Sequence, residues 1–182
     1  MALSEIMRLL AVALTLAASL TPAGPLGELT GLAVQRVQVA DLVAAAKFGT
    51  TQPIDDPVRE QQVLDGVRAK AVELRLDPES AARFFRAQIE ANKLVQRGLY
   101  TRWTEHPEEV PHRRPDLGTE VRPILDRLTT EILAELKDTE QLRHPTLRCE
   151  IHATIAERSA VVHRLDRLHE NALAEAMRPV CS

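Results

Sequence analysis

Asp77-Pro78-Glu79-Ser80-Ala81-Ala82-Arg83-Phe84-Phe85-Arg86-Ala87-Gln88-Ile89-Glu90-Ala91-Asn92-Lys93-Leu94-Val95-Gln96-Arg97-Gly98-Leu99 is the stretch on which the fold turns. An aspartate followed by proline is a helix start: the carboxylate caps free N–H groups, and proline suits the first helical position. Phe84, Phe85, Ile89, Val95 and Leu99 supply the apolar side. The spacing predicts one long helix running to about Glu105.

Working outward, Asp56-Pro57 carries the same start signal. It opens a helix to about Arg75, with Val63, Leu64, Val67 and Val72 as its apolar residues. Gly49-Thr50-Thr51-Gln52-Pro53 separates it from an earlier amphipathic helix, Gly27 to about Phe48, with Leu32, Val39, Leu42 and Val43 on the apolar side. Downstream, His106 to Pro115 is rich in proline and charge and reads as a surface loop. A fourth helix is expected from about Gly118 to Lys137, with Ile124, Leu128, Ile132, Leu133 and Leu136. Pro123 falls near its start, where proline is tolerated. Pro145 interrupts, and two further helical stretches reach Met177.

Composition agrees with an all-α, single-domain bundle of about six helices around one long central helix. Of 182 residues, 45% are hydrophobic and only 3% aromatic, so the core must be aliphatic. That length can bury a proper core. Alanine, leucine, glutamate, arginine and glutamine dominate, and these favour helix. The net charge of −3, with arginines interspersed among acids, argues against nucleic acid as a partner.

The N-terminus reads differently. Arg8 precedes an uncharged apolar run, Leu9 to Leu20, and Thr21-Pro22-Ala23-Gly24 supplies a small-residue, helix-breaking end. This is signal-peptide anatomy, too short for a membrane span. Residues 1–23 are expected to be a cleaved signal, 24–182 the mature domain without a membrane segment, and the protein periplasmic or secreted. Only Cys149 and Cys181 occur. An exported chain would pair them; the alternative is two unrelated buried thiols. No CxxC, HExxH or Cys/His cluster calls for a metal.

Several polar residues have spacings that matter for chemistry. Arg36 and Lys47 are eleven apart in one helix, about three turns at ~3.6 residues each, so both leave the same face. Asn92 and Gln96, at i and i+4, share a face of the long helix. Asp56, Arg59 and Glu60 open the second helix, and Arg122 the fourth. Each alone has a plainer reading as a solvated charge, an N-cap or an exposed amide.

In their order, however, these residues resemble a known family. Arg36, Lys47, Asp56-x-x-Arg59-Glu60, Leu76-Asp77-Pro78, Gln88-Ile89 and Asn92-x-x-x-Gln96 resemble the all-helical chorismate mutases, from about Leu29 to Gln96. The remainder resembles the exported subclass typified by secreted mycobacterial enzymes: the signal, the Pro-rich loop before Asp116-Leu117, Arg122, and the Cys149/Cys181 spacing. The resemblance implies a cofactor-independent rearrangement of chorismate to prephenate, and a homodimer. It places Arg36 and Arg122 on the substrate carboxylates and Lys47 and Gln96 as donors to the ether oxygen. Asp56, Arg59 and Glu60 fall near the ring hydroxyl, and Asn92 on a carboxylate. Arg36, Lys47 and Gln96 are the expected catalytic groups. Where members of the subclass carry glutamate, this chain has Gln96, which donates without needing protonation. Two other readings stand beside it: an isochorismate-pyruvate lyase-like enzyme, and a non-catalytic exported binding protein.

Six histidines fall outside the constellation. His163 and His169, six apart, do not share a helix face and read as solvated or satisfied. Tyr100 and Trp103 read as core or subunit contacts.

Overall fold

A computed structural model describes residues 24–160 and 165–182. The expected signal segment, 1–23, and His163 lie outside these. Six α-helices follow in order: α1 (Gly27–Lys47), α2 (Pro57–Glu73), α3 (Pro78–Glu105), α4 (Arg122–Asp138), α5 (Leu147–Ala160) and α6 (Arg167–Met177). There is no strand among the described residues. The all-α bundle with one long central helix is the architecture expected from the sequence.

The capping signals act as read. Asp56 Oδ1 accepts from the Arg59 N–H at 2.9 Å, and Asp77 Oδ1 from the Glu79 N–H at 3.1 Å, each just ahead of a proline. The fourth helix differs in its first turn. Leu117–Val121 forms a π-helical turn, and regular α-helix begins only at Arg122. Pro123 has no N–H to give the Thr119 carbonyl, so the ordinary ladder cannot run through this turn. Asp116 caps the turn, accepting from the Thr119 N–H at 2.7 Å and its hydroxyl at 2.9 Å.

α3 is the centre, packing against α6, α1 and α2, while α1 also packs against α4 and α6. One part of the core joins Leu29, Phe84, Phe85, Leu128, Ile132, Leu133 and Met177. The other is built of small residues, with Ala40, Ala44, Ala91, Ala172 and Ala176 beside Val95 and Leu99. They let α1, α3 and α6 approach closely. At Gly98 a Cβ would lie 2.5 Å from Leu168 Cδ1, so α3 and α6 approach closely there and a larger residue would have to displace the Leu168 side chain. Phe48 stacks edge-on against Tyr100 and Trp103, with centroids 5.0 and 5.3 Å away, and Trp103 is buried: these aromatics belong to the chain's own core.

Two residues counted on apolar faces point outward, Val72 (62% exposed) and Leu42 (36%). In α2 the buried face is taken by Leu64, Val67 and Ala71. Val72, one residue further, is rotated off that face by about 100°. Cys149 and Cys181 form a disulfide with Cα atoms 5.9 Å apart, tying α5 to the segment after α6. His169 is satisfied: its ring sits between Asp41 (2.8 Å) and Asp166 (2.6 Å).

Candidate active site

A cleft of about 310 Å³ opens between α1, α2, α3 and the start of α4. That volume lies at the small end of the range for small-molecule sites. All eight residues singled out by spacing line it: Arg36 and Lys47 from α1, Asp56, Arg59 and Glu60 at the start of α2, Asn92 and Gln96 from α3, and Arg122 from α4. The helical periods explain the convergence. Three turns of α1 put Arg36 deep and Lys47 near the mouth, and one turn of α3 sets Asn92 and Gln96 together.

Arg36 is held hard. It is 6% exposed, and one terminal nitrogen donates to the Leu125 carbonyl (3.2 Å) and the Thr129 hydroxyl (3.3 Å) of α4. Its guanidinium also lies 5.5 Å from the Phe85 ring centroid, within cation–π reach. Burial pushes it down to about 10, against the pull of Asp126, so it is still cationic at neutral pH. The rest of its planar fork is left for a ligand.

Lys47 Nζ donates to the Pro53 carbonyl at 2.9 Å. This ties α1 to the loop before α2. Burial lowers its pKa below the ordinary lysine value, Arg122 adds to that effect, and Asp56, Glu60 and Asp55 oppose it. Arg122 is exposed at the rim, and its guanidinium makes no hydrogen bond or ion pair to the described residues. Gln96 is 2% exposed. Its Nε2 donates to Asn92 Oδ1 at 2.7 Å, while Oε1 is buried without a protein partner.

Glu60 is gripped on both oxygens, by Arg86 at 2.7 Å and Lys93 at 3.2 Å. Lys93, Gln88, Asp126 and Thr129 line the cleft as well and were not singled out as site residues in the sequence. Lys93 looks like any solvated helix charge, and only its 8% exposure marks it out. Thr129 and Asp126 lie on α4, whose face toward the cleft depends on a packing angle that periodicity does not fix.

The walls thus carry five cationic side chains (Arg36, Lys47, Arg59, Lys93, Arg122) against three carboxylates (Asp56, Glu60, Asp126). That surplus of two suits a compact dianion. Leu117, Val121, Leu125, Val63 and Ile89 supply the apolar remainder. The set offers fixed donors on an apolar floor, an arrangement for binding and electrostatic stabilisation.

Comparison with known proteins points the same way. The family signature of chorismate mutase type II matches residues 27–97. The chain is 34% identical over 160 residues to the secreted chorismate mutase of Mycolicibacterium smegmatis, covering 87% of each chain. It is 32% identical over 158 residues to that of Mycobacterium tuberculosis, covering 86% of this chain and 78% of the relative. The solved chorismate mutase of Burkholderia phymatum superposes with a TM-score of 0.81 at 34% identity, over 87% of this chain and 96% of the other. Fold, cleft and sequence together place this chain in the chorismate mutase family.

Proposed function

We propose that the cleft of this chorismate mutase works through the eight residues named above, with Arg36, Lys47 and Gln96 as its catalytic groups. The single observation that carries this is their convergence from four helices on one cleft with a cationic surplus of two. Chorismate is a dicarboxylate whose rearrangement to prephenate is one pericyclic step. It needs no nucleophile and no proton relay. The protein must hold the compact conformer and stabilise negative charge growing on the ether oxygen as its bond to the ring breaks.

In this reading Arg36 and Arg122 bind the carboxylates, where arginine's planar fork can pair bidentately. Lys47 and Gln96 donate to the ether oxygen. Lys47 has N–H groups left after Pro53, and Gln96 has its second amide N–H. Asn92 orients Gln96 and turns its own N–H groups to a carboxylate. Asp56, Arg59 and Glu60 face the ring hydroxyl. No residue of a second chain is required. Neither the lyase nor the non-catalytic reading has a feature of the cleft in its favour.

The reading extends to cellular setting and assembly. Residues 1–23 would be a cleaved signal and 24–182 the single mature domain. Relatives in two mycobacterial species are named as secreted enzymes, which supports export. No described helix is long and apolar enough to cross a membrane. A homodimer belongs to the same reading. Leu147, Ile151 and Ile155, exposed at i, i+4 and i+8 along α5, are an aliphatic stripe that the described residues leave uncovered. Sedimentation of the mature chain tests that part, and a monomer mass at micromolar concentration would remove it.

The activity test is chorismate consumption by the purified mature chain without added metal or cofactor, with the product identified. Prephenate is expected, with turnover lost in Lys47→Ala and Arg36→Ala while helical circular dichroism is kept. Pyruvate with salicylate from isochorismate would support the lyase instead. Binding of a chorismate-like dicarboxylate without turnover would support the non-catalytic reading.

A further inference from the structure

Two lysines line the cleft, and their bonding differs. Lys47 has one acceptor, the Pro53 carbonyl. Lys93 has three carboxylates: Glu90 at 2.8 Å, Glu60 at 3.2 Å and Asp55 at 3.3 Å. An ammonium has three N–H groups and no more. At 8% exposure Lys93 is saturated by protein, so it is not a donor to substrate. What it holds is the start of α2.

Arg86, Glu90, Lys93 and Arg97 recur at i, i+4, i+7 and i+11, one face of α3. Arg86 takes one oxygen of Glu60 and Lys93 the other. Arg97 takes both oxygens of Asp55, at 2.7 and 2.8 Å. This charged seam fixes the segment from Asp55 to Glu60 against the same helix that carries Asn92 and Gln96. Lys93 is its most buried member. Within the cleft it is also the cation that offsets Glu60, a carboxylate only 14% exposed in its side chain. Without Lys93 the surplus of two falls to one, and a poorly hydrated carboxylate faces the incoming dianion.

We propose that Lys93 is a positioning residue of the mutase reaction, acting through Glu60: it sets that carboxylate in the cleft wall and offsets its charge against a dicarboxylate substrate. The inference rests on the reading of the cleft given above.

The test is a kinetic cycle on the mature chain with wild type, Lys93→Met, Glu60→Gln and the double variant, melting curves being recorded for each. Lys93→Met is expected to lower kcat/KM about tenfold, the size of one unit charge acting across a partly hydrated cleft. The loss falls mainly on KM, because Glu60, left with Arg86 as its remaining cation, opposes the dianion in the ground and transition states alike. In the Glu60→Gln background the same change is expected to cost less than about twofold, since the charge it compensates is gone. A purely structural lysine would give equal losses in both backgrounds. That result overturns the proposal, as does a Lys93→Met enzyme indistinguishable from wild type. Wild-type turnover separates the two levels: with it, a failed cycle sinks this proposal alone, and without it the reading of the cleft falls and takes the proposal along. Lys93→Gln, which keeps N–H donors without the charge, replaces Lys93→Met in the cycle if that variant does not fold.

Discussion

Gln96 Nε2 donates to Asn92 Oδ1 at 2.7 Å, one turn away along α3. The bond fixes which way the Gln96 amide faces, so its second N–H is aimed without reorganisation when charge develops in the cleft. Gln96→Ala should therefore cost about 10²–10³ in kcat, the usual loss for one preorganised donor to a developing oxyanion. Gln96→Glu is more telling. A carboxylate cannot donate, so this variant is expected to be active only while protonated, its rate rising as pH falls. The wild-type rate should stay flat between pH 5 and about 8. A pH–rate profile of both proteins checks this, and a wild-type rate falling steeply through pH 6 to 7 would remove Gln96 from the donor role.

Lys47 sets the alkaline side. Burial lowers its pKa below the ordinary lysine value. It loses its proton, and with it donor strength and charge, at lower pH than a surface lysine would. The kcat/KM of the free enzyme is expected to fall on the alkaline side ahead of the ordinary lysine titration near ~10.4. Arg36, which burial lowers to about 10, titrates on the same side. Lys47→Arg separates the two: it keeps charge to higher pH, so the limb should move up while the rate drops through altered geometry. A limb unmoved in Lys47→Arg would assign it elsewhere.

The disulfide stands apart from the cleft, none of whose walls comes from residues beyond Thr129. It closes a loop of 32 residues between α5 and the segment after α6, and Cys149 is fully buried. Cross-linking a loop of that size contributes roughly 3–4 kcal/mol, largely by restricting the unfolded chain. Reduction, or Cys149→Ala with Cys181→Ala, should lower the Tm on the order of 10 °C. The kcat at 25 °C should be unchanged in the folded fraction. Loss of activity at temperatures where circular dichroism is intact would show that the bridge also shapes the cleft.

Most of this was legible because local signals and tertiary packing agree. Asp56-Pro57 and Asp77-Pro78 mark helix starts whose caps form as read. Arg36 with Lys47, and Asn92 with Gln96, reach the cleft because helical phase alone sets their face. Lys93 was missed because a lysine's burial depends on which carboxylates another helix brings to it. Thr129, Asp126 and the Leu125 carbonyl escaped for a similar reason, since the angle of α4 against α1 has no signature in either helix. The π-helical turn at Leu117–Val121 had one hint, Pro123, which reads equally well as an ordinary proline near a helix start. Val72 was misassigned because an apolar residue next to an apolar stripe cannot be told from a member of it by period alone.

His169 gives the last prediction, on stability. Its Nε2 meets Asp41 of α1 at 2.8 Å and its Nδ1 meets Asp166 at 2.6 Å, while its backbone N–H is capped by the same Asp166. The imidazolium therefore pins the start of α6 to α1. The bond to Asp41, opposed by burial and helped by Asp166, raises its pKa to about 9 from an ordinary 6.5. Because the folded value is the higher one, the stabilisation is fully present below about pH 6.5 and is lost as pH rises through about 9. Both carboxylates are about half exposed, 49% and 52%, so solvent screening reduces the contribution to about 1–2 kcal/mol. The Tm should accordingly fall by about 3–6 °C between pH 6.5 and 9.5. His169→Gln, neutral at every pH, should melt lower than wild type at pH 6 and converge with it at pH 9.5. Parallel Tm curves for the two proteins across that window would mean that the ring is held by packing against α1 and α3, with the charge contributing nothing.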